Sequence, residues 1–353
     1  MKSQHKKILQ TTLSFAFAGT FLYLAFRGVK FDDLLKSLLE VNYFWVILLM
    51  PITLISHWLR AVRWAYLLSP VKEKLSTRNL FSAVMIGYLV NNIFVRAGEV
   101  VRAYAIGKSE GISRSAAFAT IIVERILDMM TFFFSLCVVL FLYPQTLNFL
   151  IESSDTLQSL FPDVESMRPF FLIGAFGALA LFLILFIKSE SLFQLLTHLK
   201  MIVPRRYETL YQSLVEKFLS GFSVARLRKH FAAISFLSLL IWIFYALGLF
   251  VPFYAFESLT GLQSDFGASV ILLTITTIAW VLPSPGAFGT YHSFLTVALV
   301  KMYQVNDVTA ISYSIITHEA GILVTTAVGL YYFFKDHLKI SEVNFESNDD
   351  KKA

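Results

Sequence analysis

Charge is scarce in this sequence. Lys and Arg number 30 and Asp and Glu 24 in 353 residues, 15% of the chain, where a soluble globular protein carries about 25%. With 56% hydrophobic residues, 35 Phe and a mean hydropathy of +0.65, the composition argues against a water-soluble fold and for an all-α polytopic membrane protein. Cysteine is nearly absent: Cys137 stands alone in an apolar run, which excludes an intrachain disulfide and a cysteine-based zinc site. Walker A, HExxH, GxSxG and dinucleotide-binding patterns are all missing. No catalytic residue, metal or cofactor is therefore assigned, and an enzyme ranks behind a transporter. A net charge of +6 and a pI of 9.2 would fit nucleic acid in a soluble protein. Here the basic residues are divided among short loops, so no nucleic-acid partner is expected.

What the chain does contain is long apolar runs. Ile8–Phe26, Tyr43–Leu59, Ala116–Tyr143, Phe170–Ile187, Phe231–Phe256 and Ala310–Phe334 are long enough to cross a bilayer as helices. About six full spans are expected. The first is too long for a signal-peptide h-region and is read as retained. The loop between Lys188 and His230 has eight basic residues against three acidic ones, and Pro144–Pro169 is mostly acidic. The positive-inside rule places the first in the cytoplasm and the second outside, with both termini cytoplasmic. Residues 1–340 form a single membrane domain, with a connector at about 188–230, and residues 341–353 form a polar tail. Tyr207, Leu210, Leu214 and Phe218 in the connector recur at helical spacing beside Arg205, Arg206 and Lys217. They suit an interfacial amphipathic helix or a connector packed beneath the bundle.

Three shorter runs do not fit a simple succession of spans. Leu80–Val95 lies between two basic linkers, one with Arg60, Arg63, Lys72, Lys74 and Arg78, the other with Arg102, Lys108 and Arg114. It must begin and end on one side, as a re-entrant hairpin completed by a helix near Glu99–Lys108. Ala268–Leu282 and Ala287–Tyr303 flank Pro283-Ser284-Pro285-Gly286, where two prolines stop the helix. They form a second hairpin, re-entrant or tightly spanning, entering from the opposite side. Oppositely entering, interrupted segments are the pattern of a transporter site between inverted repeats.

Some charges stand where lipid makes them costly. Glu124, Arg125 and Asp128 fall deep in the Ala116–Tyr143 helix, at about 2.5–3.5 kcal/mol for a single ionised group. Their spacing allows an internal ion-pair set on one flank, or a polar cavity that binds a charged group. At the first break, Asn91, Asn92, Arg96, Glu99 and Arg102 place amides and guanidiniums near membrane depth. Arg96 and Arg102 are candidates for holding phosphate; Arg102 could instead snorkel to the surface and Arg96 pair with Glu99. At the second, Pro283, Pro285, Gly286, Gly289 and His292 lead into a helix whose N-terminus could attract an anion, or whose small residues allow close packing. His318 and Glu319 fall in mid-span, as a proton relay, an amine site or an interhelical contact. A metal site from His292, His318 and carboxylates is geometrically feasible, but ligand spacing does not point to it. Arg60 and Arg63 beside Trp64 read as an interfacial anchor.

The motifs Asn91–Arg102, Val123–Asp128 and Leu282–Gly289, with Arg60-x-x-Arg63-Trp64, resemble the flippase-like membrane domain of bacterial lysylphosphatidylglycerol synthases over roughly Ile8 to Phe334. In the two-part members that domain precedes an aminoacyl transferase and moves the modified lipid between leaflets. Only a short polar tail follows Phe334, so the resemblance does not imply lysyl transfer or tRNA use. It implies a bacterial cytoplasmic membrane protein that handles an anionic phospholipid or a polyprenyl-phosphate-linked lipid. The alternatives are a membrane glycosyl- or headgroup-transferase and a non-transporting scaffold. A homo-oligomer or an envelope-enzyme partner is left open. Two departures stand out: Val95 replaces the usual Pro of the Asn91–Arg102 motif, and Tyr291-His292 stands where the Leu282–Gly289 motif usually continues toward a Glu.

Orientation has a direct test. Cysteines introduced at Ser154 and Lys200 are expected to react with a membrane-impermeant thiol reagent from outside and from inside, respectively; the reverse pattern overturns the hairpin assignment.

Overall fold

The computed structural model describes residues 2–143, 168–187 and 224–338, and every regular element within them is helical. The order is α1 (Lys2–Phe26), α2 (Phe31–Leu39), α3 (Tyr43–Leu68), α4 (Thr77–Ile93), α5 (Gly98–Glu110), α6 (Arg114–Leu142), α7 (Arg168–Ile187), α8 (Val224–Phe250), α9 (Phe266–Val281), α10 (Thr290–Tyr303) and α11 (Asp307–Lys335). The proposed amphipathic segment around Tyr207–Phe218 lies outside the described residues.

Helix starts follow local chemistry. The side chains of Asn42, Ser76, Ser113, Asp265 and Asn306 accept from backbone amides in the first turns of α3, α4, α6, α9 and α11. Each satisfies a donor that the helix itself leaves free. Among the described residues, Tyr43–Leu68, Arg114–Leu142, Lys229–Ala255 and Asp307–Lys335 are long and apolar enough to cross a membrane. The end of α1 and α2 join them if counted as one broken span, bent by 83°. The chain is a multi-pass membrane protein. Helix α2, with Phe31 and Leu39 exposed, had no counterpart among the apolar runs because nine residues are too few to stand out.

The short segments are helix–break–helix pairs. At 1.5 Å per residue, α4, α5, α9 and α10 are each about 20–25 Å long, less than a bilayer core of about 30 Å. Helices α4 and α5 fold back on each other because Gly87 and Gly98 let their backbones touch. A Cβ on Gly98 would lie 2.0 Å from the Gly87 carbonyl oxygen. Asn91 closes the turn by accepting from the Gly98 amide at 2.7 Å. At the other end of α5, the Glu110 carboxylate receives Lys72, Asn79 and the Ser76 amide at 2.7–3.1 Å. Burial alone would raise its pKa, but these bonds outweigh it and hold it below the usual range. This clamp is complete at neutral pH and is lost as pH falls through that lowered value.

The two breaks meet each other. Arg96, at φ 57°, donates from Nη2 to the Val281 carbonyl at 3.2 Å, and Gly286 abuts the Asn92 backbone. Helix α11 supports both pairs: α4 packs against it at Gly329, and α10 touches it through Tyr291 and Thr317. One apolar core gathers Leu249, Phe253, Leu272, Leu295 and Tyr313; a second gathers Trp64, Leu80, Ile86, Ile106 and Ile121.

Gly98→Ala is expected to destabilise the protein by about 1–3 kcal/mol, because backbone lies where the methyl must go. Gly19, with open space around it, is the control, and Gly19→Ala is expected to be neutral or slightly stabilising. Thermal unfolding in detergent measures both; equal midpoints would show that the close α4–α5 approach is unimportant.

Candidate functional site

The carboxylates of α6 are balanced by arginines from two other helices and from α6 itself. Glu124 is 0% exposed, and all four guanidiniums of Arg60, Arg63, Arg102 and Arg125 reach it. Arg102, from α5, is bidentate, at 3.0 and 2.8 Å. Arg60 binds Oε1 directly, Arg125 binds it at 2.9 Å, and Arg63 lies at 3.8 Å. Asp128 takes Arg60 at 2.9 Å and Arg63 at 2.6 Å, with Arg125 at 3.7 Å. From α8, the Tyr245 hydroxyl accepts from Arg60 at 2.6 Å and Ser238 from Arg63 at 2.9 Å. The Arg102 guanidinium stacks 3.8 Å over Trp64, whose indole donates to Thr120 at 2.9 Å.

This corrects the reading of Arg60 and Arg63 as an interfacial anchor in a cytoplasmic linker. Helix α3 runs on to Leu68, and both arginines are buried within it. Two signals were available: the i, i+3 spacing of the arginines, and the apolar Trp64–Leu68 that continues the helix beyond them. Arg102 does not snorkel either; it is buried against Glu124 and Trp64. Arg96 does not pair with Glu99: it is exposed and donates to the Val281 carbonyl at the hairpin tips.

Four cations face two anions in this cluster. The Nε atoms of all four arginines are buried with no hydrogen-bond partner, as is Oε2 of Glu99. Beside them lies a cleft of about 40 Å³ lined by Tyr88, Asn91, Gly98, Glu99, Arg102 and Arg125, enough for two or three waters. Arg125, 41% exposed, stands at its edge. Asn91 and Glu99 thus share a cleft with Arg102 and Arg125, whereas Asn92 turns away and donates to Thr325 and Thr326 of α11.

The remaining candidates form a separate cluster at the second break. Pro285 opens a short 3-10 turn, and Gly286 and Ala287 adopt positive φ. His318 Nε2 lies 2.8 Å from the Gly286 carbonyl, and its Nδ1 lies 3.1 Å from Glu319 Oε1. His292 Nε2 is 3.6 Å from the same carboxylate oxygen. Pro283 is exposed. A Cβ on Gly289 would meet the Ala18 carbonyl oxygen of α1 at 2.2 Å. Close helix approach, rather than an open anion pocket, is the role the structure gives this glycine.

The sequence profile of the lysylphosphatidylglycerol synthase TM region matches residues 11–329. The chain belongs to this family. It is 30% identical over 137 residues, 38% of this chain and 41% of the relative, to a UPF0104 membrane protein of Methanocaldococcus jannaschii. It is 38% identical over 76 residues, 21% of this chain and 22% of the relative, to another from Methanothermobacter thermautotrophicus. The chain thus matches less than half the length of either relative. No solved structure matches it.

Within this family member, Glu124→Gln is expected to destabilise by about 3–5 kcal/mol, because it leaves buried guanidiniums without their shared anion. Arg125→Gln, at the exposed edge, is expected to cost under about 1 kcal/mol. Equal losses in thermal unfolding would refute Glu124 as the common anchor.

Proposed function

We propose that this protein moves lipid headgroups across the cell membrane, and that the cleft beside Glu124 is where an anionic headgroup is held. The observation that carries this is the imbalance of four guanidiniums, three of them buried, against Glu124 and Asp128, with the unpartnered Nε donors of Arg102 and Arg125 at a cleft that also carries Glu99 and that Arg125 opens to the surroundings. A phosphate supplies the missing charge and accepts from several N–H groups at once. Anionic phospholipids and polyprenyl-phosphate-linked lipids share that phosphate. Membership in the family supports the reading, since the two-part synthases resembled by these motifs use the corresponding domain on a phospholipid.

The energetics follow from the cluster. A lone ion at membrane depth is costly, but a site already carrying excess positive charge offsets the desolvation of a phosphate arriving from the interface. The cleft has room for only a few waters, so loading a headgroup requires the α4–α5 hairpin to shift against α6. The meeting of the two breaks through Arg96 and Val281 couples such a shift to the second hairpin. No nucleotide motif is present, so movement is downhill or ion-coupled. The positive-inside rule places the termini in the cytoplasm and the mouth of the first hairpin on that side.

Proteoliposomes with fluorescent phosphatidylglycerol test this. The wild type is expected to accelerate exchange between leaflets over protein-free vesicles. Arg125→Ala is expected to slow it roughly tenfold, the equivalent of one charge-assisted hydrogen bond, with little loss of stability. Unchanged exchange in Arg125→Ala and in Glu99→Gln removes the cleft as the site.

A further inference from the structure

The second break carries a cluster that the proposed headgroup cleft does not use. We infer that His292, His318 and Glu319 form a three-ligand site for a divalent transition-metal ion of the zinc class, joining α10 to α11.

The donor geometry comes first. One ligand atom from each residue lies within 4.8 Å of the other two. Glu319 Oε1 is 3.1 Å from His318 Nδ1 and 3.6 Å from His292 Nε2. Zinc bonds to nitrogen and oxygen of about 2.0–2.2 Å, arranged tetrahedrally, put neighbouring ligand atoms about 3.3 Å apart. The two separations from Glu319 bracket that value, and the two histidine nitrogens, within 4.8 Å of each other, close to it by a small rotation of the His292 ring.

Proton placement points the same way. The Gly286 carbonyl can only accept, so the His318 nitrogen 2.8 Å from it carries the hydrogen. In the neutral ring, the Nδ1 lone pair then faces a carboxylate oxygen 3.1 Å away. Two lone-pair atoms do not settle at that distance without a cation between them, either a proton or a metal ion. A histidine that donates through one nitrogen to a backbone carbonyl and ligates through the other is the usual arrangement at metal sites. The positive φ of Gly286 and Ala287 is part of the break whose carbonyl orients this ring.

The second histidine favours the metal over the proton. A proton satisfies only the His318–Glu319 contact, yet His292 Nε2 converges on the same carboxylate oxygen while its Nδ1 is buried without a partner. The rings are 4.7 Å apart and inclined at 71°, and Phe288 and Tyr291 pack around them. Glu319 is 42% exposed, so an ion can reach the cluster from its side. Three protein ligands with one position free is the pattern of zinc sites that bind a water or substrate oxygen. Metal binding at this cluster is independent of lipid transport and is read directly.

The test uses the full chain in detergent, purified through a tag without histidine and stripped with a chelator. Zinc titration is expected to saturate at about one ion per chain and to raise the unfolding temperature. Cobalt is expected to give the intense visible bands of a four-coordinate site. His292→Ala, His318→Ala and Glu319→Gln are each expected to weaken zinc binding by at least about tenfold, with Gly19→Ala as a control that binds like wild type. The wild-type cobalt spectrum does not depend on whether the variants fold. A wild type with no saturable zinc or cobalt uptake overturns the inference and leaves His318 and Glu319 as a proton-sharing pair. Folded variants that bind like wild type also overturn it.

Discussion

One carboxylate inside an apolar bundle sets the terms for much of this structure. Glu124 has no contact with solvent, so its charge is tolerable only if cations are brought to it from other helices. Arg60 and Arg63 come from α3, Arg102 from α5, and Arg125 from its own helix. Asp128 and Tyr245 take up hydrogens that Glu124 cannot. The first hairpin is therefore fixed by electrostatics as well as by the glycine contact between its limbs. An apolar hairpin of the same length could slide along its neighbours, whereas this one is registered by a bidentate ion pair.

The same cluster links stability to chemistry. A buried ion-pair set is rarely the most stabilising way to fill a core, and apolar side chains of equal volume often do as well. Keeping four guanidiniums against these two carboxylates is the arrangement that the proposed headgroup site calls for. The second break solves a related problem differently. There the backbone leaves helical geometry at Gly286 and Ala287, and the carbonyl it exposes is taken by His318. Both breaks satisfy interrupted backbone with side chains from neighbouring elements, as a bilayer interior demands.

Legibility in the sequence followed the cost of each feature. Glu124, Arg125 and Asp128 stood out because ions in an apolar run are rare and expensive. The breaks stood out because Pro283 and Pro285 cannot continue a helix, and because Leu80–Val95 lies between two basic linkers. Arg60 and Arg63 were misjudged because an arginine near the apparent end of an apolar run looks the same whether the helix stops or continues. Nor does spacing along the chain reveal that residues 292 and 319 share a focus. They lie on different helices, and only packing sets the angle between them.

Composition and charge order were enough to determine a polytopic helical membrane protein with two interrupted helix pairs, because hydrocarbon forbids unpaired backbone and penalises every stray charge. The tertiary structure decided which charges answer one another: Arg102 with Glu124, Arg63 with Asp128, Arg96 with the Val281 carbonyl, and His292 and His318 with Glu319. These pairings are short-range in space and long-range in sequence. The scarcity of charge could announce that the few buried ions have partners, but only the crossing of the helices could say which.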